Sequence, residues 1–132
     1  MFFIHLKWAL LWALFILILC GIPGNDIPSV SFLEILNFDK FVHASLFFVL
    51  YILTNNSFLK QNTYSLLVNK GKFVALVLCI IYGGYTEILQ GVVFKERSAD
   101  INDFIANSIG SVLALILYTK TVKIIRKVIV NF

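Results

Sequence analysis

Charge is scarce in this sequence. Only 14% of its 132 residues are Asp, Glu, Lys or Arg, against about a quarter in a typical soluble domain. A water-soluble chain of this size needs a polar exterior, and this one has too little to build it. Cysteine is almost absent, with Cys20 and Cys79 each inside an apolar run. There is no CxxC and no Cys/His cluster, and a disulfide would need both cysteines at one depth whereas Cys20 is near a span end and Cys79 nearer mid-span, so two buried thiols are expected. No internal repeat or low-complexity tract is visible, and no linker divides the chain. What is abundant is apolar surface: 60% hydrophobic residues and a mean hydropathy of +0.92. That composition suits lipid. The net charge is +4, but the basic residues sit in short stretches between apolar runs. This is not the footprint of a nucleic-acid binder, and none is expected as a partner.

Four apolar runs follow. The fold class is therefore all-α: one domain over 1–132, a bundle of four transmembrane helices. The expected spans are 8–22, 39–54, 73–94 and 101–118. Span one could begin at Phe2, with Lys7 reaching to the interface; Pro23-Gly24-Asn25-Asp26 ends it with turn chemistry. Leu19 is bulky where a lipoprotein-type cleavage site needs a small residue before the cysteine, so the segment reads as a retained span rather than a signal peptide. Span three is the clearest: its roughly 22 residues cover about 33 Å as a helix. Spans two and four reach a spanning length only by including polar residues at one end, near Asp39 and Asp100. Continuous apolar runs favour helices over the alternating strands of a barrel. Residues 32–38 are apolar but too short to span and suit an interfacial segment. Residues 119–132 place Val122, Ile125, Ile129 and Phe132 at helical spacing, with Lys120, Lys123 and Lys127 elsewhere. That reads equally as a basic amphipathic tail on the inner leaflet or as an extension of span four.

Lysine and arginine set the orientation. Lys7 precedes span one. Lys60, Lys70 and Lys72 lie between spans two and three, with no acid. Lys120, Lys123, Arg126 and Lys127 follow span four, again with no acid. The other two connections are mixed or acidic. The positive-inside rule then puts both termini in the cytoplasm.

This topology gathers polar groups at the outer ends of three spans: Asp39, Lys40 and His43 on span two; Glu87 and Gln90 on span three; Arg97, Asp100, Asp103 and Asn107 at the start of span four. Glu87 lies seven positions before Phe94, about 10 Å below the helix end. An ionised group there costs roughly 2.5 kcal/mol or more if it faces lipid, so it should face protein or a pocket. Asp39 and His43 share a face at i,i+4, as do Asp103 and Asn107. Gly83, Gly84, Glu87, Gln90 and Gly91 form one side of span three; Asn107, Gly110, Ser111 and Ala114 form a small-residue stripe on span four, suited to close helix approach. Asp39 and Asp103 also suit helix N-termini, as caps or dipole partners. His43, Glu87, Asp100 and Asp103 could supply metal ligands, but no HExxH or comparable spacing organises them. No metal and no other cofactor is expected. The inner halves of the spans read as nearly free of polar residues, which argues against transport.

These residues resemble the VanZ-like family of bacterial membrane proteins. Asp39-Lys40-Phe41-Val42-His43 is similar to its D-K-x-x-H element. Gly83 with Glu87-Ile88-Leu89-Gln90 is similar to its G-x-x-x-E-x-x-Q element. The run from Arg97 to Gly110 is similar to its R-x-x-(D/E)-x-x-D-x-x-x-N-x-x-G element. The resemblance implies a multi-pass protein of the bacterial cytoplasmic membrane. It implies no established activity, though such proteins have been grouped with membrane enzymes acting on lipid head groups or lipid-linked glycans. The family takes its name from a protein linked to teicoplanin resistance, a role to which nothing in this chain points.

Two functions fit. The first is an enzyme at the outer leaflet acting on a lipid or lipid-linked head group. Arg97, with Lys40 and Gln90, would bind the head group or its phosphate. Glu87 or His43 would serve as general acid or base, with Asp100 and Asp103 orienting the base or Arg97. Asp39, Asn107, Gly83, Gly84 and Gly110 would hold the surrounding network. The second is a non-catalytic scaffold or amphiphile binder that alters cell-envelope properties or glycopeptide susceptibility. The expected partner in both is a membrane lipid or lipid-linked precursor; the sequence implies no oligomeric state.

Overall fold

The computed structural model describes residues 2–26, 31 and 37–130. It is all-helical there. Helix α1 is Phe2–Cys20, α2 Phe38–Lys60, α3 Ser65–Val92 and α4 Ile101–Val130, with a short 3-10 turn at Gly24–Asp26. Among the described residues, four helices are long and apolar enough to cross a membrane; in α4 the qualifying stretch is Ile101–Tyr118.

The helices run up and down. The end of α1 meets the end of α3, where the Gln90 amide reaches the Cys20 carbonyl at 3.4 Å. The start of α2 meets the start of α4 through Lys40 and Asp100. At the opposite end, Ser57 of α2 donates to the His5 carbonyl of α1 at 2.6 Å, and Phe2 lies edge-on to Tyr64. Helices α2 and α3 each touch all three others, whereas α1 and α4 do not meet among the described residues. The candidate functional residues fall on α2, α3 and α4, each of which packs against the other two.

A single apolar core holds the bundle: Ile16 and Cys20 from α1, Phe47, Leu50, Tyr51 and Phe58 from α2, Ala75 and Cys79 from α3, and Ala114 from α4. Both cysteines are buried free thiols. Outward, the helices present Phe3, Trp8, Leu11, Phe41, Phe73, Ile81, Ile88, Ile105 and Ile116. In water so continuous an apolar exterior would drive association; in a bilayer it is the solvated surface.

Lipid tails are as apolar as leucine, so helix association rests on close packing and polar contacts. The closest approach is between α2 and α4. A Cβ at Gly110 would overlap the Ala44 carbonyl group, lying 2.7 Å from its carbon and 2.8 Å from Ala44 Cα. Tyr82 of α3 donates to the Ala13 carbonyl at 2.6 Å, and Trp12 of α1 to the Leu46 carbonyl at 2.9 Å.

The elements differ in places from the expected spans. Helix α1 begins at Phe2, with the Lys7 ammonium 5.3 Å from the Trp8 ring centroid. Helix α2 continues through Asn55 and Asn56 to Lys60. Its last turns bury Thr54, Asn55 and Ser57, and Gln61 just beyond is buried too. The expectation that this end of the bundle is nearly free of polar residues is therefore corrected. An apolar layer of Phe47, Leu50, Cys79 and Ala114 still separates these groups from those at the other end. An open groove of about 480 Å³ lies here, lined in part by Tyr51, Asn55, Lys72 and Phe73. Helix α4 runs unbroken to Val130. The expected sidedness of Val122, Ile125, Ile129 and Phe132 lies outside the described side chains, and the interfacial reading of 32–38 falls largely on residues 32–36, outside the described set.

Candidate functional site

Most of the polar residues singled out at these helix ends converge on one cluster: Asp39, Lys40, His43, Glu87, Asp100, Asp103 and Asn107. Asp39 and Lys40 sit in the first turn of α2, and His43 follows a turn later. The Lys40 ammonium donates to Asp39 at 2.7 Å, to Asp100 at 2.9 Å and to Asp103. One cation thus ties α2 to both ends of the first turn of α4.

Asp100 starts α4 as its N-cap. Its Oδ1 accepts from the Asn102 amide at 2.8 Å, satisfying one of the donors a helix start leaves free. The capping role thus falls to Asp100, while Asp39 and Asp103 occupy the acidic first-turn positions of their helices. The Lys40 ammonium beside Asp100 holds its carboxyl below the usual carboxylate range, and the Asn102 amide adds to the effect. The backbone amide of Asp100 in turn donates to Glu87 Oε2 at 3.1 Å.

Glu87 is therefore held across helices rather than within its own. It is only 6% exposed. Helix α3 ends at Val92, so Glu87 lies about 8 Å inside the helix end, somewhat shallower than expected. Its second oxygen, Oε1, is buried and has no hydrogen-bond partner.

His43 completes the group. Its Nδ1 lies 3.0 Å from Asn107 Oδ1. An amide oxygen only accepts, so Nδ1 is the donor to it. Nε2 faces Asp103 Oδ2 at 3.6 Å. Ligand atoms of His43, Glu87 and Asp103 all lie within 4.8 Å of one another. Asn107 is seated by Gly83: a Cβ there would come within 3.3 Å of Asn107 Cβ.

Not every expected residue joins. Gln90 is buried one turn beyond Glu87 but turns toward α1 and the Cys20 carbonyl. Gly84 lies opposite the Phe104 ring at ordinary contact distance. Arg97 is half-buried in the α3–α4 connection and makes no ion pair among the described residues. Asp100 and Asp103 pair with Lys40 instead of orienting Arg97. Lys40 is thus committed to carboxylates, whereas Arg97, like Lys95 in the same connection, has no carboxylate partner among the described residues.

Cys20 was not expected here. Arg97, Glu87 and Asp103 all lie within electrostatic range of its thiol. The available signal was topology: α1 ends on the same side of the bundle as the polar ends of the other three helices.

Four apolar helices around a sunken ionisable cluster define a multi-pass membrane protein. The family model described as VanZ/LLP1 matches residues 3–126, and the chain belongs to that family. Comparison with curated proteins and with solved structures gave no match.

Proposed function

We propose that this protein is an enzyme acting on the head group of a lipid or lipid-linked precursor at the outer leaflet of the bacterial cytoplasmic membrane. The observation that carries the proposal is the Glu87 carboxylate, buried beside His43 and Asp103 with one oxygen unpartnered. A buried carboxylate is costly where a neutral residue would pack as well. A role in proton transfer accounts for it. Asp100 fixes Glu87 through its backbone amide, and Asn107 fixes the tautomer of His43. Glu87 and His43 then divide the general acid and base roles, as paired groups in unlike environments commonly do. Arg97, free of carboxylates, receives the phosphate of the head group, a task suited to its forked donors. Lys40 and its three acids hold the start of α2 against the start of α4. The excess of lysine on the loop between α2 and α3 and beyond α4 supports cytoplasmic termini and an outward-facing cluster.

The test is turnover. Wild-type protein in nanodiscs is given phospholipids and polyprenyl-phosphate-linked sugars labelled in the head group. Release or exchange of label is expected. If no substrate of either kind changes while one binds stoichiometrically, the protein is a binder and the enzymatic reading is wrong.

A further inference from the structure

We propose that His43, Glu87 and Asp103 form a binding site for a divalent transition-metal ion, zinc or manganese. The proposal rests on the same cluster as the enzymatic reading and adds to it a resident cation.

One potential ligand atom from each of His43, Glu87 and Asp103 converges on a common point. His43 Nε2 faces Asp103 Oδ2 at 3.6 Å, too far for a hydrogen bond. Glu87 Oε1 is buried and unpartnered. Unfilled, this arrangement leaves a desolvated carboxyl oxygen unsatisfied, which costs about 1–3 kcal/mol. A cation among them removes that penalty. The spacing fits: ligand atoms within 4.8 Å of one another can share an ion with bonds of about 2.0–2.2 Å after small side-chain adjustments.

The surroundings match the requirements of a metal site. His43 passes its other ring proton to the Asn107 oxygen, the arrangement that orients metal-bound histidines. Asp103 uses its remaining oxygen for Lys40, and Glu87 its remaining oxygen for the Asp100 amide. Each ligand is therefore anchored through one atom while another stays free. The charge also fits. Asp39, Asp100 and Asp103 share the Lys40 ammonium, and Glu87 adds a further carboxyl beside Asp100, so the cluster when ionised has an acidic excess that a divalent ion would reduce. The imidazole favours zinc, and the two carboxylates also admit manganese; magnesium and calcium prefer oxygen ligands alone. Three protein ligands leave a position open, where a bound ion can activate water or polarise a phosphoryl oxygen.

The experiment uses the full chain in detergent, stripped with a chelator and titrated with zinc or manganese chloride. Bound metal per chain and the melting temperature are measured. Close to one ion per chain is expected, with a higher melting temperature. Glu87→Gln and Asp103→Asn should each weaken binding at least tenfold; Asn107→Ala should weaken it about tenfold by freeing the imidazole; Asp26→Asn should stay within twofold. Stripped wild-type protein that takes up no ion overturns the proposal whatever the variants do, and so does equal binding by wild type and Glu87→Gln. Head-group turnover by metal-free protein removes the metal and keeps the enzyme. One ion per chain without turnover keeps the metal and removes the enzyme.

Discussion

Gly110 of α4 lies against the carbonyl group of Ala44 in α2, with no room for a side chain between them. The residue beside Ala44 is His43, and one turn before Gly110 is Asn107, which binds it. The tightest helix crossing and the candidate site are therefore one structure. Gly110→Ala should force α2 and α4 apart and lower stability by about 1–3 kcal/mol, the usual cost of overpacking. Gly84→Ala should be nearly neutral, because a Cβ there meets only the Phe104 ring at 3.6 Å. Thermal unfolding of the two variants in detergent compares them. Equal melting temperatures would contradict the assigned crossing.

Lys40 and Asp39 should differ sharply. Lys40 joins three acids across two helices, whereas the Asp39 side chain is 59% exposed. Lys40→Met leaves Asp100 and Asp103 without their common partner and should cost about 1–3 kcal/mol, allowing for its partial exposure. Asp39→Asn should cost under about 1 kcal/mol. Equilibrium unfolding of each variant, referred to wild type, measures the order.

The Lys40–Asp100 pair also makes stability depend on pH. The Asp100 carboxyl is held below its usual range. A depressed carboxyl contributes stability above its unfolded value, about 3.9, and loses it as pH falls toward the folded value. Wild type should therefore melt higher than Asp100→Asn near neutral pH, and the gap should narrow below about pH 4. Melting curves from pH 7 to 3 check the sign; a gap that widens on acidification would be the wrong one.

Both termini should face the cytoplasm. A reporter active only in the cytoplasm should signal when fused at either end, and one active only outside should signal when inserted after Asp26. The opposite pattern would move the cluster to the inner leaflet.

Hydropathy made the helices legible, since apolar stretches of spanning length have few other folds. Their ends were less so. The expected second span stops at 54, yet α2 continues to Lys60, with Asn55 and Ser57 buried and Ser57 reaching the His5 carbonyl. The site was legible as a set of residues, because helical spacing puts Asp39 with His43 and Asp103 with Asn107. The partners were not. Spacing within one helix carries no information about which cation meets which acid across the bundle. So Lys40, rather than Arg97, takes Asp100 and Asp103. The convergence of His43, Glu87 and Asp103 on one point likewise joins three helices, and no linear motif such as HExxH encodes it.

The central claim is that the buried Glu87 carboxylate works in catalysis rather than in holding the bundle. Glu87→Gln keeps the shape and the acceptor for the Asp100 amide but removes the ionisable group. Head-group turnover and melting temperature, measured on the same preparations of this variant and wild type in nanodiscs, test the claim most directly. The account predicts a loss of turnover of about a hundredfold or more, typical of removing a general acid or base, with the variant still folded. Turnover equal to wild type in a folded Glu87→Gln protein would contradict it.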